Sequence, residues 1–210
     1  MNTFLRDRKE INFTNSDPGD RSIFPSRFVK FISLRSLRAF LVSGLAFGMT
    51  ACSDIDPPNE SRVAKAIVEP TQGNVVSGIV WFAETKDGVD VSADFYGLTP
   101  GKHGFHVHEF GDCSAPDASS AGEHFNPAGD KHGSPDSVSR HVGDLGNVEA
   151  DETGYGHYHR VDTKVKLSGK NSVIGRSIII HRDEDDFVTQ PSGNSGPRIG
   201  CGIIKIVEKQ

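Results

Sequence analysis

Residues 103–144 read HGFHVHEFGDCSAPDASSAGEHFNPAGDKHGSPDSVSRHVGD. Six of the nine histidines of the chain lie in this stretch, among glycines, prolines and acids. Its first eight residues read as a strand. His106 and His108 stand two apart on it, and residues i and i+2 of a strand share a face. The following residues, 111–142, show no apolar period. A loop of that length in a compact domain is either functional or disordered, and the histidines favour function. Asp144 follows His141 by three residues. Imidazole suits zinc and copper, and a carboxylate can complete a zinc shell. The stretch therefore reads as a rigid strand running into a loop that metal ions organise, with donors enough for two.

The flanking sequence is built for strands. Residues 75–82 (VVSGIVWF) are rich in β-branched and aromatic types. Residues 89–96 (VDVSADFY) alternate apolar and polar, the period of a half-buried strand. Further strands are expected at residues 63–68, 146–150, 155–167, 173–181 and 199–207, with turn signals at 72–74 and 98–101. No segment after residue 51 has a helical period. Eight short strands and two long loops, 111–142 and 182–197, predict an all-β sandwich or flattened barrel. Trp81 is expected in its core. His103 is expected to make a structural hydrogen bond, and His157 and His159 to share a solvated strand face.

Residues 1–51 differ in character. Arg27, Lys30, Arg35 and Arg38 precede a short apolar run ending in Met-Thr-Ala-Cys at 49–52. A basic region, a short apolar run and small residues describe a secretory signal, and eleven apolar-leaning residues are too few to span a bilayer. The last four residues resemble a bacterial lipobox, which would leave a lipidated Cys52 and a membrane anchor. An ordinary signal peptide with an incidental Cys52 is the plainer alternative. Residues 52–62, acidic and carrying Pro57-Pro58, read as a tether, and residues 63–210 as the domain. An exported protein of the periplasm or cell envelope follows.

Removal of residues 1–51 leaves 15 basic against 24 acidic residues, a net charge of −9. That excludes a nucleic acid partner, because a phosphate backbone needs a basic face. Three cysteines occur. If Cys52 carries lipid, Cys113 and Cys201 remain, and an exported chain favours their pairing as a disulfide.

The donors divide by position. His106 and His108 share a strand face, and His181 ends another strand. A tetragonal nitrogen shell suits Cu(II). His132, His141 and Asp144 lie on or beside the loop and, with one more donor, suit a tetrahedral zinc. His124 lies between the two sets, and its two ring nitrogens can serve both.

With those residues in view, the chain resembles the copper/zinc superoxide dismutases. The resemblance rests on GFHVHEFGD (104–112), HFNP (124–127), HVGDLGN (141–147) and GNSGPRIGCG (193–202). It implies an eight-stranded Greek-key barrel of immunoglobulin-like architecture, with one copper and one zinc per subunit. His106, His108, His124 and His181 fall where the family binds copper. His124, His132, His141 and Asp144 fall where it binds zinc. Arg198 matches the arginine that draws in superoxide, and Asp185 the carboxylate linking ligands of both metals. Cys113 and Cys201 match the family disulfide. The implied activity converts superoxide to dioxygen and hydrogen peroxide by copper cycling, with His124 giving one proton. The long loop between Cys113 and His124 resembles bacterial members. Phe110, Ile174 and Gly175 resemble a homodimer interface, which Lys205 would burden with charge. A copper-delivery protein on the same fold would carry Cys-x-Cys motifs, absent here. A metal-buffering relative without turnover would lack Arg198 or a copper ligand, and neither is missing.

Overall fold

A computed structural model describes residues 61–208. The expected signal at residues 1–51, the Cys52 expected to carry lipid and most of the expected tether at 52–62 lie outside the described residues. Nine strands follow in chain order: β1 (Val63–Pro70), β2 (Ser77–Thr85), β3 (Gly88–Tyr96), β4 (Gly101–His108), β5 (Asp144–Ala150), β6 (Gly156–Asp162), β7 (Ser177–His181), β8 (Arg198–Ile203) and the two-residue β9 (Lys205–Ile206). One 3-10 turn, Ser119–Ala121, is the only helical element among the described residues.

The sheet runs β2-β3-β6-β5-β4-β7-β8-β1, and β1 pairs with β2 to close it into an eight-stranded barrel. Every strand pair is antiparallel. The connections β3→β4 and β6→β7 cross over, which gives the Greek key. Strand β9 continues β8 after a break at Ile204, whose backbone bonds instead to Gly175 and Arg176. Closure leaves no free edge over most of the sheet, which removes a site for unwanted pairing.

Strand β3 alternates buried and partly exposed residues along its length, and Val89, Val91, Ala93 and Phe95 point into the core. Phe95 and Tyr158 pack edge-on against Phe105, at centroid distances of 5.5 and 5.1 Å. Strands β4 and β7 differ. From His103 onward, β4 is buried on both faces, and so is all of β7. Their inner faces, with Phe105, Val107, Ile178 and Ile180, belong to the barrel core. Their outer faces, with His106, His108, Ile179 and His181, are covered by the two long loops. Burial of both faces at these two strands marks where the loops fold back.

Two expected strands prove shorter. Residues 155–167 keep pairing only to Asp162, whose Oδ1 accepts the backbone N–H groups of Lys164 and Val165 and turns the chain. Residues 173–181 pair only from Ser177. Ile174 donates to the Ser172 hydroxyl, and Gly175 adopts φ +75°. Trp81 is not core. It stands on the outer face of β2, 36% exposed, with the Lys65 ammonium 5.4 Å from its ring centroid.

Cys113 and Cys201 form a disulfide across 88 residues of sequence, joining the long loop to β8. Ala118, Ala121, Ile179 and Cys201 pack together beneath that loop. The chain-entropy model gives the bridge about 4.6 kcal/mol. The double variant Cys113→Ser/Cys201→Ser is therefore expected to unfold at clearly lower urea concentration. A midpoint equal to that of the parent would contradict a structural role.

Candidate metal centre

Two groups of four donors form under the loops. His106, His108, His124 and His181 make the first, and His124, His132, His141 and Asp144 the second. Within each group the donor atoms lie within 4.8 Å of one another, and all seven residues are buried. His124 belongs to both. Backbone bonds place it: Phe125 N–H donates to the Val107 carbonyl and Gly143 N–H to the Phe125 carbonyl. Those bonds fasten the loop against β4 and bring His124 opposite His108.

Most of the rings have one nitrogen fixed and the other left facing inward. His106 Nε2 donates to Asp185 Oδ2 at 2.8 Å. His108 Nδ1 donates to the Gly122 carbonyl at 2.9 Å, and His181 Nδ1 to the Gly196 carbonyl at 3.0 Å. His132 Nε2 donates to Asp185 Oδ1 at 2.8 Å. The opposite nitrogens converge. Those of His108 and His181 approach to 3.4 Å, while His106 Nδ1, His124 Nε2, His132 Nδ1 and His141 Nδ1 are buried without a well-aligned hydrogen bond, the last two lying only near Asp144 Oδ1 at 3.0 and 3.1 Å. Four buried orphan nitrogens would be costly in a finished core. Two divalent cations, one in each group, satisfy all of them.

Asp144 makes the same point from the other side. Its Oδ2 accepts the backbone N–H groups of Gly133 and His141. Its Oδ1 faces Nδ1 of His124, His132 and His141 at 2.9, 3.0 and 3.1 Å. A tetrahedron with bonds of about 2.0 Å has edges of about 3.3 Å, so the second group is close to the size of a zinc shell. Burial would raise the Asp144 carboxyl, but the three imidazoles around it hold it far below the usual range. Burial would lower His132, but its contacts to the Asp144 and Asp185 carboxylates outweigh it and raise it to about 9. The anionic pocket thus draws in a positive charge. Burial instead pushes down His106 and His108, and takes His181 to about 3. Neutral rings are what a copper shell needs.

Asp185 spans the groups through its two oxygens, and Asn147 holds its backbone by a reciprocal pair of bonds of 2.8 and 2.9 Å. Gly193 lies against it at φ +68°, and a Cβ there would overlap Asp185 Oδ1 and press on His132. Gly193→Ala should displace the carboxylate and speed zinc loss to a chelator by about 10- to 100-fold, the usual cost of losing such a partner. An unchanged release rate would refute this.

Arg198 completes the arrangement. It pairs across the sheet with His181. Its two terminal nitrogens donate to the Ala118 and Gly122 carbonyls, each at 2.7 Å. The Gly122 carbonyl also accepts from His108, so the guanidinium sits one shared acceptor away from the first group. Burial lowers its pKa. Thr71, at the end of β1, donates to the Arg198 carbonyl at 2.8 Å.

Sequence reading missed several contributors. Gln190 brackets the His132 backbone, accepting from its N–H and donating to its carbonyl. Arg140 is buried and donates to Asp162 Oδ2 and to the carbonyls of Pro135, His141 and Asp144. The adjacency of Arg140 to His141 was the one available signal. His103 makes its structural contacts, with ring nitrogens 3.0 Å from the His181 carbonyl and 2.8 Å from that of Thr99.

An all-β barrel with two buried donor groups sharing one imidazole defines a protein for two resident metal ions. The copper/zinc superoxide dismutase (SODC) family profile matches residues 76–204, and the chain belongs to that family. It is 41% identical over 156 residues to an extracellular superoxide dismutase [Cu-Zn] of Brugia pahangi, covering 70% of this chain and 77% of that one. It is 44% identical over 146 residues to a superoxide dismutase [Cu-Zn] of Onchocerca volvulus, covering 64% and 92%. Among solved structures, the clock protein EA4 is similar at 41% identity, with a TM-score of 0.64, covering 69% of this chain and 94% of that one.

Proposed function

We propose that this copper/zinc superoxide dismutase holds copper with His106, His108, His124 and His181, and zinc with His124, His132, His141 and Asp144. The observation that carries the assignment is the pair of four-donor groups meeting at His124, with orphan nitrogens facing inward. The enzyme converts superoxide to dioxygen and hydrogen peroxide. Bound copper supplies the one-electron couple, and zinc, which has no redox chemistry, supplies fixed charge. The residues do the rest. Arg198 offers a fixed cation and a planar fork that orients the anion. His124 Nε2 carries one proton to the product. Asp185 keeps the His106 and His132 rings in orientation.

The disulfide and the extracellular relative support export, since such bridges persist in oxidising compartments. We place residues 1–51 as signal, 52–62 as tether and 63–210 as the enzyme domain. Lipidation of Cys52 would hold the protein at the periplasmic or envelope membrane. Phe110, 56% exposed, is where a second copy would add cover.

The test is metal analysis joined to a superoxide-consumption assay. Expected are about one copper and one zinc per chain, and turnover that a copper chelator abolishes. Fully metallated protein holding zinc alone, or turnover insensitive to the chelator, would overturn the assignment.

A further inference from the structure

Two histidines outside the metal centre stand on the outer face of β6. His157 and His159 are two residues apart, so both side chains leave the same face of the sheet. Their side chains are 55% and 56% exposed. Each ring has a carboxylate on one nitrogen. His157 Nδ1 donates to Asp94 Oδ1 at 2.9 Å. His159 Nε2 lies 3.1 Å from Asp90 Oδ1. Asp94 is itself oriented, since the Tyr155 hydroxyl donates to the same oxygen at 2.6 Å. The register puts Asp94 directly opposite His157 on β3, and Glu149 directly opposite it on β5.

Carboxylates engaging one nitrogen leave the second nitrogen of each ring as a lone-pair donor toward solvent. A metal-binding histidine has this arrangement: its other N–H goes to a carboxylate, which fixes the tautomer and raises ligand basicity. The flanking acids add negative charge that favours a cation. Neither ring belongs to a group of three or more donor side chains among the described residues, so water would fill the remaining positions. Imidazole pairs with open aqua positions suit tetragonal Cu(II) or Ni(II), and also Zn(II).

We propose that His157 and His159 form an exposed bis-imidazole site for a late first-row divalent cation, separate from the buried centre and two strands away from β4. The enzyme would therefore take up a third ion at its surface without using it in turnover.

The test uses tag-free protein already loaded with copper and zinc, dialysed against Ni(II). Elemental analysis confirms that copper and zinc contents stay constant. The parent is expected to bind one additional Ni(II) per chain. The double variant His157→Gln/His159→Gln should bind it at least about tenfold more weakly, and Asp94→Asn about 10- to 100-fold more weakly. Superoxide turnover should be equal in all three, which shows that each is folded. Absence of the additional ion in the parent, or equal Ni(II) binding in the double variant, overturns the proposal. Unchanged binding in Asp94→Asn would overturn the part given to the carboxylate.

Discussion

Replacement of His124 by Ala is expected to lower superoxide turnover by at least about 10²-fold, the lower bound for losing a positioned proton donor. Zinc retention should fall in the same variant. His124 is the one side chain common to both donor groups. Its Nδ1 lies 2.9 Å from Asp144 Oδ1, while its Nε2 is an orphan on the other side. One substitution therefore takes a donor from each group. The second group would keep three donors, and a three-ligand zinc is an open site that admits water. The ring also packs within 4.0 Å, centroid to centroid, of His106, so Ala leaves a gap between the two groups. The measurements are turnover, metal content, and the rate at which a chelator removes zinc. A variant that kept the parent turnover with both metals bound would rule out the bridging role.

Much of this was legible in the sequence because the chemistry is local. His106 and His108 share a strand, His141 and Asp144 share a turn, and strand periodicity or spacing reports both. The barrel was legible for the same reason: β3 alternates from Val89 to Phe95 because one face meets the core. Strand ends were less so. Asp162 and Ser172 end pairing with their own side chains, and a propensity pattern does not distinguish an Asp that caps a turn from one that faces water. Trp81 misled because apolar character alone does not say which sheet face a residue takes. Its neighbours Val80 and Phe82 point inward, so the pleat sends Trp81 out.

The supports of the centre were hidden by distance. Gln190 lies 58 residues from His132 and reaches it through backbone atoms alone. Nothing in a solvent-facing polar loop marks one glutamine over another. Arg140 drew no reading from the sequence, yet it is buried with Asp162 at 2.6 Å and holds the carbonyls on either side of the His141 turn. Contacts of this kind depend on which strands the barrel brings together, and they become visible only once that topology is known.

Arg198→Met is expected to lower kcat/KM by about 10- to 10³-fold, the range over which a focused field raises the encounter rate of a charged substrate. Copper should stay bound, because Arg198 is in neither donor group. The argument begins with net charge. Residues 52–210 carry −9, which on its own repels superoxide. The acidic residues at the start of the second loop are partly offset: Glu184 pairs with Lys102 at 3.0 Å, and Asp183 lies 3.6 Å from Arg182. Arg198 has no carboxylate partner among the described residues and spends its hydrogen bonds on two neutral carbonyls. Its charge is left to act on an anion beside the first group. If steering is the cause, the parent rate should fall as salt rises, because exposed charges are screened over about 10 Å at 0.1 M. In Arg198→Met that slope should flatten or reverse, since only the repulsive background remains. Arg198→Lys keeps the charge but loses the fork that reaches both carbonyls. It should fall between the two and keep a negative salt slope. Equal rates for Met and parent at low salt would remove Arg198 from the mechanism. A large loss in Arg198→Met with the parent's salt slope intact would show that the side chain works by holding the Ala118–Gly122 turn in place, and not by its field.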